Sequence, residues 1–324
     1  AKLIRETLQK LAAQDLWEDF PWEVVLVDNA STDGLQETAK AAWTGSAPLN
    51  IVVESELGIA AARKTGIANC RYDLIVFVDD DNRLYPDFLH TAYSLMRSYP
   101  DAGAVGGQNI ATFASEPPPW FVRYQGNYAA GGQYTVNGLI EKPIGTLWGA
   151  GLVLRKAAID EVNASGFTPI LRSRIGKSGM LSGEETELLL AMRLLGWKLY
   201  YDERLKAEHF MTTPRLNWDY HLRLRQGLGA SAVVLDMYRE LLLQKLGLGS
   251  FQAQGWQERI KATKRKLWQD PLAMLPLRLK RLEGNYRVAK AHYLKGELQE
   301  RKRLGEEEEK LRARLQAWAT RLEP

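Results

Sequence analysis

The sequence predicts an α/β fold, a mostly parallel, doubly wound sheet followed by a helical C-terminal extension. Three observations lead there. Short Val-rich apolar runs alternate with helix-spaced segments through the first third of the chain. Aspartate-rich clusters follow two of those runs directly. After Pro214 the apolar spacing is helical almost to the end.

Residues 2–14 carry Leu3, Ile4, Leu8 and Leu11 at helical spacing. The run 22–27 (WEVVLV) reads as a buried strand. The stretch 28–34 (DNASTDG) joins turn and cap chemistry, with Thr32 and Asp33 placed to cap a helix through Ala42. A second strand at 50–53 leads through Gly58 into an Ala-rich helix over 59–69. A third at 74–78 (LIVFV) runs into Asp79-Asp80-Asp81-Asn82, and a helix follows over 86–98. Strands alternating with helices of this length imply parallel pairing, and ligands of such sheets sit at the carboxyl ends of strands, where both polar clusters fall. The middle differs. Residues 116–134 read as a long aromatic loop, 146–154 (TLWGAGLVL) as strand-like around small residues, 182–195 as a helix stopped by Gly196, and 197–202 as a strand. The helical remainder breaks at 247–250 and at Pro271–Pro276. Leu304, Leu311, Leu315, Trp318 and Leu322 form one coiled-coil-like seam, interrupted by Glu308. A catalytic domain over 1–230 and a helical extension over 231–324 are expected. A doubly wound unit normally opens with a strand, whereas these residues open in a helix, so either a first strand is expected upstream or the sheet is an unusual one that lacks it.

Composition narrows the class. The chain of 324 residues is 45% hydrophobic and 25% charged, which excludes wholesale disorder. Lone Cys70 excludes an internal disulfide and suits a reducing cytoplasm. No apolar run approaches the ~20 residues that span a bilayer, and no signal-peptide pattern opens the sequence. A cytoplasmic protein, at most peripheral at the inner face of the membrane, is expected. The net charge of +4 is unevenly spread: residues 256–324 hold 18 Lys+Arg against 10 Asp+Glu, leaving the rest acidic. The acidic part is expected to hold the chemistry and the basic tail to meet an anionic surface or another helix.

Asp79, Asp80 and Asp81 are three adjacent carboxylates at a strand end, and their ionised forms need a cation or many donors nearby. A hard divalent metal, Mn²⁺ or Mg²⁺, bridging to a diphosphate meets that need; a solvated acidic turn is the plainer reading. Asp28, Asn29 and Asp33 can accept from a base or ribose, or cap a helix. Arg63 sits one turn into the Ala-rich helix after Gly58, within reach of phosphate. Glu184 and Glu185 open a helix, and one such carboxylate in a pocket is a candidate general base, although acidic first-turn residues are ordinary capping. His209 alone reads as structural.

In order, the segments 27–34, 57–64 (LGIAAARK), 77–82 with Pro86-Asp87, 148–151 (WGAG), and 183–188 with 195–197 resemble family 2 glycosyltransferases of the GT-A fold, nearest to bacterial enzymes that build exopolysaccharide and other cell-surface glycans. The resemblance covers about residues 3–229. It implies that Asp28, Asn29 and Ser31 hold the nucleotide base, with Gly58 and Arg63 beside the nucleotide. Asp79 and Asp80 would lie by ribose and diphosphate, Asp81 would bind the metal, and His209 would add a further metal or diphosphate contact. Trp148, Gly149, Ala150 and Gly151 would floor the sugar pocket. Trp120, with Phe121, Tyr124 and Tyr128, would stack on acceptor sugars, close as a lid, or simply pack under a long connection. Glu185 stands where the family carries a catalytic Asp, with Glu184 before it toward the acceptor. That substitution, one methylene longer, departs from the family pattern.

The implied reaction is an inverting transfer from a nucleoside-diphosphate sugar, with uridine the expected base, to a hydroxyl of a glycan or lipid-linked acceptor. The basic stretch 256–303 fits an anionic membrane, packing on the catalytic domain, or a homodimer contact. Nothing interleaves aromatics with that basic face, so nucleic acid is not expected. Two other readings compete: a non-catalytic binding or scaffold subunit, and a sugar nucleotidyltransferase, which would need a Gly-rich phosphate loop that is not visible near the start.

Overall fold

The computed structural model describes residues 2–171, 182–251, 255–269 and 282–322. Helix α1 (Lys2–Ala12) leads to β1 (Val24–Asp28), α2 (Leu35–Ala42), β2 (Leu49–Val53), α3 (Ile59–Asn69) and β3 (Leu74–Val76). Then come β4 (Asn82–Leu84), α4 (Phe88–Ser98), β5 (Ala102–Phe113), the short α5 (Phe121–Tyr124), β6 (Gly138–Leu139) and β7 (Val153–Arg155). Helices α6 (Lys156–Ala164) and α7 (Glu184–Leu194) precede β8 (Lys198–Met211). Helices α8 (Trp218–Lys245), α9 (Trp256–Trp268), α10 (Tyr286–Leu304) and α11 (Glu307–Thr320) follow.

The α/β class and the helical C-terminal region are as expected, but the strand directions are not mostly parallel. β1 and β2 pair in parallel as a sheet of their own, and a six-stranded sheet has the order β3-β7-β5-β8-β4, with β6 on β8. Within that larger sheet only β5 and β8 run parallel. β3–β7, β5–β7, β4–β8 and β6–β8 are antiparallel. The connection from β5 to β7 carries no helix long enough for a parallel crossover, so β7 enters reversed, between β3 and β5. β1 and β3 are not hydrogen-bonded to each other, and residues of both line one large cavity.

β5 and most of β8 escaped the sequence reading for a physical reason. Gly103, Gly106 and Gly107 dilute the strand signal of β5, and Asp202-Glu203-Arg204 looks like a turn. The glycines are needed by register. A bulge falls between Gly106 and Gln108, and a Cβ on Gly107 would lie 2.0 Å from the Leu205 carbonyl oxygen. At the start of α2 the expected caps Thr32 and Asp33 give way to Gly34, whose φ of 72° closes the turn without a side-chain capping bond.

One layer of core lies under α1, α2 and α4, where Leu8, Ala39, Phe88 and Met96 meet the sheet. The other lies under α6, α7 and α8, where Leu154, Leu189, Met192 and Tyr238 pack. α8 runs unbroken through residue 230, so the expected boundary falls inside a helix whose later half belongs to the main core. The coiled-coil-like seam is likewise used within the chain: Leu304, Leu311, Leu315 and Trp318 are buried in that core. Glu308, the interruption, is fully buried, and Arg259 at 3.0 Å and Arg301 at 2.5 Å hold it. The Pro271–Pro276 break lies outside the described residues.

A third cluster seats the aromatic loop on α8. His221 is fully buried between Trp218, Tyr124 and Trp120, with Tyr128 Oη 3.3 Å from its Nδ1. Burial lowers its pKa to about 3, and that of His292 to about 4. Both imidazoles stay neutral in the fold while the unfolded chain protonates near pH 6.5, so their contribution is present above that value and is lost as pH falls toward 4. Thermal unfolding between pH 7 and pH 4 is expected to show a falling Tm, and His221→Asn is expected to flatten the slope. An equal slope in the variant would contradict this assignment.

Candidate active site

The cavity has a volume of 1470 Å³ and is lined from α1, β1, α3, β3, α7 and α8 as far as Arg239, with residues of the 79–81 and 146–150 stretches. β3 delivers Asp79, Asp80 and Asp81 to its edge, and α7 brings Glu184 and Glu185 in its first turn. Gly183, at φ 108°, is the N-cap that turns the chain sharply enough for this.

Arg63 of α3 joins the two sides. Its Nη1 lies 3.2 Å from Glu185 Oε2 and 3.8 Å from Glu184 Oε1, and its Nη2 lies 3.5 Å from Asp79 Oδ1. The guanidinium also stacks 4.9 Å from the Phe77 ring centroid. Burial works against its charge, but Asp79, Glu185 and Glu184 outweigh burial and its pKa is raised. Gly149 makes room for this bridge: a Cβ there would stand 2.9 Å from Arg63 Nη2 and 3.2 Å from Glu185 Cγ.

The three aspartates differ by environment. Burial raises the pKa of Asp79, against the pull of Arg63. Burial and the neighbouring Asp81 and Asp79 carboxylates raise that of Asp80. Asp81 is also buried, yet His209 and Arg215 hold its pKa below the usual value. Arg215 Nη1 is 2.7 Å from Asp81 Oδ2 and 3.4 Å from His209 Nε2, and His209 Nε2 is 3.5 Å from the same Oδ2. Strand pairing fixes this corner, with His209 opposite Asn82 and the Phe210 amide donating to the Asp81 carbonyl at 2.8 Å.

The donor chemistry fits a divalent metal here. Among the described residues no group of three or more His, Cys, Asp or Glu side chains is placed to hold a metal ion between them. A cation that keeps waters and takes substrate phosphates needs only one or two protein ligands. Asp81 Oδ2 and His209 Nε2 supply one oxygen and one nitrogen on the cavity wall.

Other expected residues are placed differently. Asp28 is buried and absent from the lining; it accepts from Ser31 N at 2.9 Å and Gln36 Nε2 at 2.7 Å, and the Gln36 bond lowers its pKa. Asn29 lines the cavity, but its side chain staples neighbouring loops, donating to the Glu54 and Glu56 carbonyls and accepting from Gly58 N at 2.8 Å. Ser31, Trp148, Gly149 and Ala150 line the cavity; Gly151, at φ 68°, is buried behind them. Trp120 is not brought to the site. It packs against Trp218 and His221 and donates from Nε1 to Glu283 at 2.8 Å. Arg215 and Tyr220 of the lining were not singled out from sequence, whereas Tyr128 of the aromatic loop does line the cavity; an arginine in a Thr-Pro-Arg-Leu turn offers no signal of the carboxylate it meets.

Residues 1–162 match the profile of Glycosyl transferase family 2. The chain belongs to that family. Over 87 residues this family 2 member is 38% identical to the succinoglycan biosynthesis protein ExoU of Rhizobium meliloti (strain 1021), covering 26% of this chain and 25% of that protein. Over 112 residues it is 33% identical to glycosyltransferase AglE of Haloferax volcanii, covering 33% of this chain and 36% of that protein. These matches span little over a third, or less, of the relatives' own lengths. Mannosyltransferase PcManGT from Pyrobaculum calidifontis, solved in complex with GDP-Man and Mn²⁺, shares the fold at a TM-score of 0.53 and 14% identity. That likeness covers 93% of this chain and 83% of the other. The fold is GT-A. No helix among the described residues is long and apolar enough to cross a membrane.

Proposed function

We propose that this chain is an inverting glycosyltransferase that moves a sugar from a nucleoside-diphosphate sugar, with uridine the favoured base, to a hydroxyl of a glycan or lipid-linked acceptor. The observation that carries the reading is one cleft with Glu185 on one wall and the Asp79–Asp81 carboxylates on the other, bridged by Arg63.

In the reaction Glu185 accepts the proton of the acceptor hydroxyl as that oxygen forms its bond to the anomeric carbon. The bond from that carbon to the β-phosphate oxygen breaks, and its electron pair leaves with the nucleoside diphosphate. Arg63 holds the Glu185 carboxylate toward the cleft, and Gly149 leaves the space that contact needs. Asp81 and His209 would hold Mn²⁺ or Mg²⁺, which neutralises the diphosphate charge when bound. Ser31 and Asn29, both on the cavity wall, would meet the nucleotide, and Trp148, also on that wall, would meet the sugar.

Donor turnover with Mn²⁺ tests the reading, because Asp81→Ala is expected to abolish it. A wild-type chain that binds nucleotide tightly and turns over no donor would favour the scaffold reading instead. The basic α9–α10 end, with Trp268 and Tyr286 exposed, is assigned to an anionic membrane surface. Sedimentation with vesicles containing phosphatidylserine is expected at low salt and lost at high salt, and an absence of binding at low salt contradicts the assignment.

A further inference from the structure

The corner that would hold the metal already contains a cation belonging to the chain. Arg215 Nη1 lies between Asp81 Oδ2 at 2.7 Å and His209 Nε2 at 3.4 Å. Those two candidate ligand atoms are themselves 3.5 Å apart. Octahedral coordination at about 2.1 Å would set neighbouring ligands about 3.0 Å apart. Closing by about half an ångström would therefore let the pair share one ion, and the guanidinium nitrogen, 2.7 and 3.4 Å from the two atoms, now contacts both of its ligand positions.

Two further observations mark this contact as exchangeable rather than a finished ion pair. Arg215 Nε is buried without a hydrogen-bond partner, and so is His209 Nδ1. A guanidinium built into a permanent pair normally spends its donors in a fork on the carboxylate, whereas this one reaches a single oxygen through one nitrogen. Arg215 belongs to a four-residue 3₁₀ turn between β8 and α8, so it can swing without unpicking the sheet.

We propose that Arg215 is a resident placeholder in the metal seat, which a divalent cation must displace to reach Asp81 and His209. The proposal rests on the functional reading of the same corner. Its consequence is coupling. Metal arriving alone exchanges one cation for another and leaves the guanidinium without an anion. Metal arriving with a diphosphate brings Arg215 a new anionic partner at the moment it is expelled. Loading is thereby tied to the donor, and the coupling is reciprocal: the metal favours the diphosphate by the same factor. Without ligand, the seat's two side chains are kept apart from bulk water and from stray cations.

Titration of the full chain with Mn²⁺ alone, followed by the electron paramagnetic resonance signal of the free ion, reads the effect without any turnover. Arg215→Ala is expected to bind Mn²⁺ about tenfold more tightly than wild type. Guanidinium ion added to that variant is expected to weaken binding back toward the wild-type value, which a merely structural arginine would not produce. Arg215→Gln gives the same reading should the alanine variant fail to fold. Binding abolished by Asp81→Ala but unchanged or weakened in the Arg215 variants overturns the placeholder and leaves the metal assignment standing. Binding that survives Asp81→Ala overturns both.

Discussion

Glu185→Gln is expected to lower sugar transfer about 10²–10⁴-fold while leaving nucleotide binding nearly unchanged. The amide keeps the length and volume of the carboxylate but cannot take the acceptor proton. Arg63 keeps Asp79 and Glu184 as anionic partners in the variant, so the wall of the cleft is expected to survive. The loss should therefore fall on kcat rather than on the nucleotide affinity. Glu185→Asp is expected to retain measurable turnover, because the base remains and only its reach shortens. Transfer by Glu185→Gln at the wild-type rate would remove Glu185 from the mechanism.

Gly229→Ala and Gly296→Ala are expected to destabilise the fold by about 3 kcal/mol each, despite the better helix propensity of alanine. α8 and α10 cross in backbone contact at these positions. A Cβ on Gly229 would lie 1.9 Å from the Tyr293 carbonyl oxygen, and one on Gly296 1.8 Å from the Gln226 carbonyl oxygen. Neither obstacle is a side chain that can rotate away, so the helices must separate, and α10 carries Val288 and Ala289 into the aromatic cluster under the loop. Denaturant unfolding of each variant measures the cost, and an unchanged midpoint would contradict the crossing. The pair also bears on the role of the C-terminal helices, because a crossing this close is part of the fold rather than an appended tail.

Particular residues show what could be read before the structure. Strands and helices whose apolar spacing is local were legible: α3 matches its expected span, and β1, β2 and β3 fall within two residues of theirs. The aspartate triplet and the glutamate pair stand at element ends, where chemistry and capping coincide in the sequence, and all five residues line the cavity. The expectation failed where long-range pairing decides the outcome. β5 is a 12-residue strand full of glycine, sustained by β8 and β7 on either side rather than by its own propensity. For Trp120 the sequence left sugar stacking, a lid and packing open, because it cannot say which face of an aromatic loop will be buried, and the structure shows packing. The sequence placed Arg63 within reach of phosphate as an expectation, but gave no sign of its contact with Glu185, 122 residues away. The same holds for Arg215 and Asp81, which are 134 residues apart.

A crystal of the chain grown with Mn²⁺ and UDP, with diffraction collected at the manganese edge, puts the central assignment to the most direct trial. One anomalous peak is predicted within coordination distance of Asp81 Oδ2 and His209 Nε2, with the diphosphate on its cavity side and Glu185 facing it across the cleft. A peak bound elsewhere, or a nucleotide lodged away from the aspartates, would contradict the account.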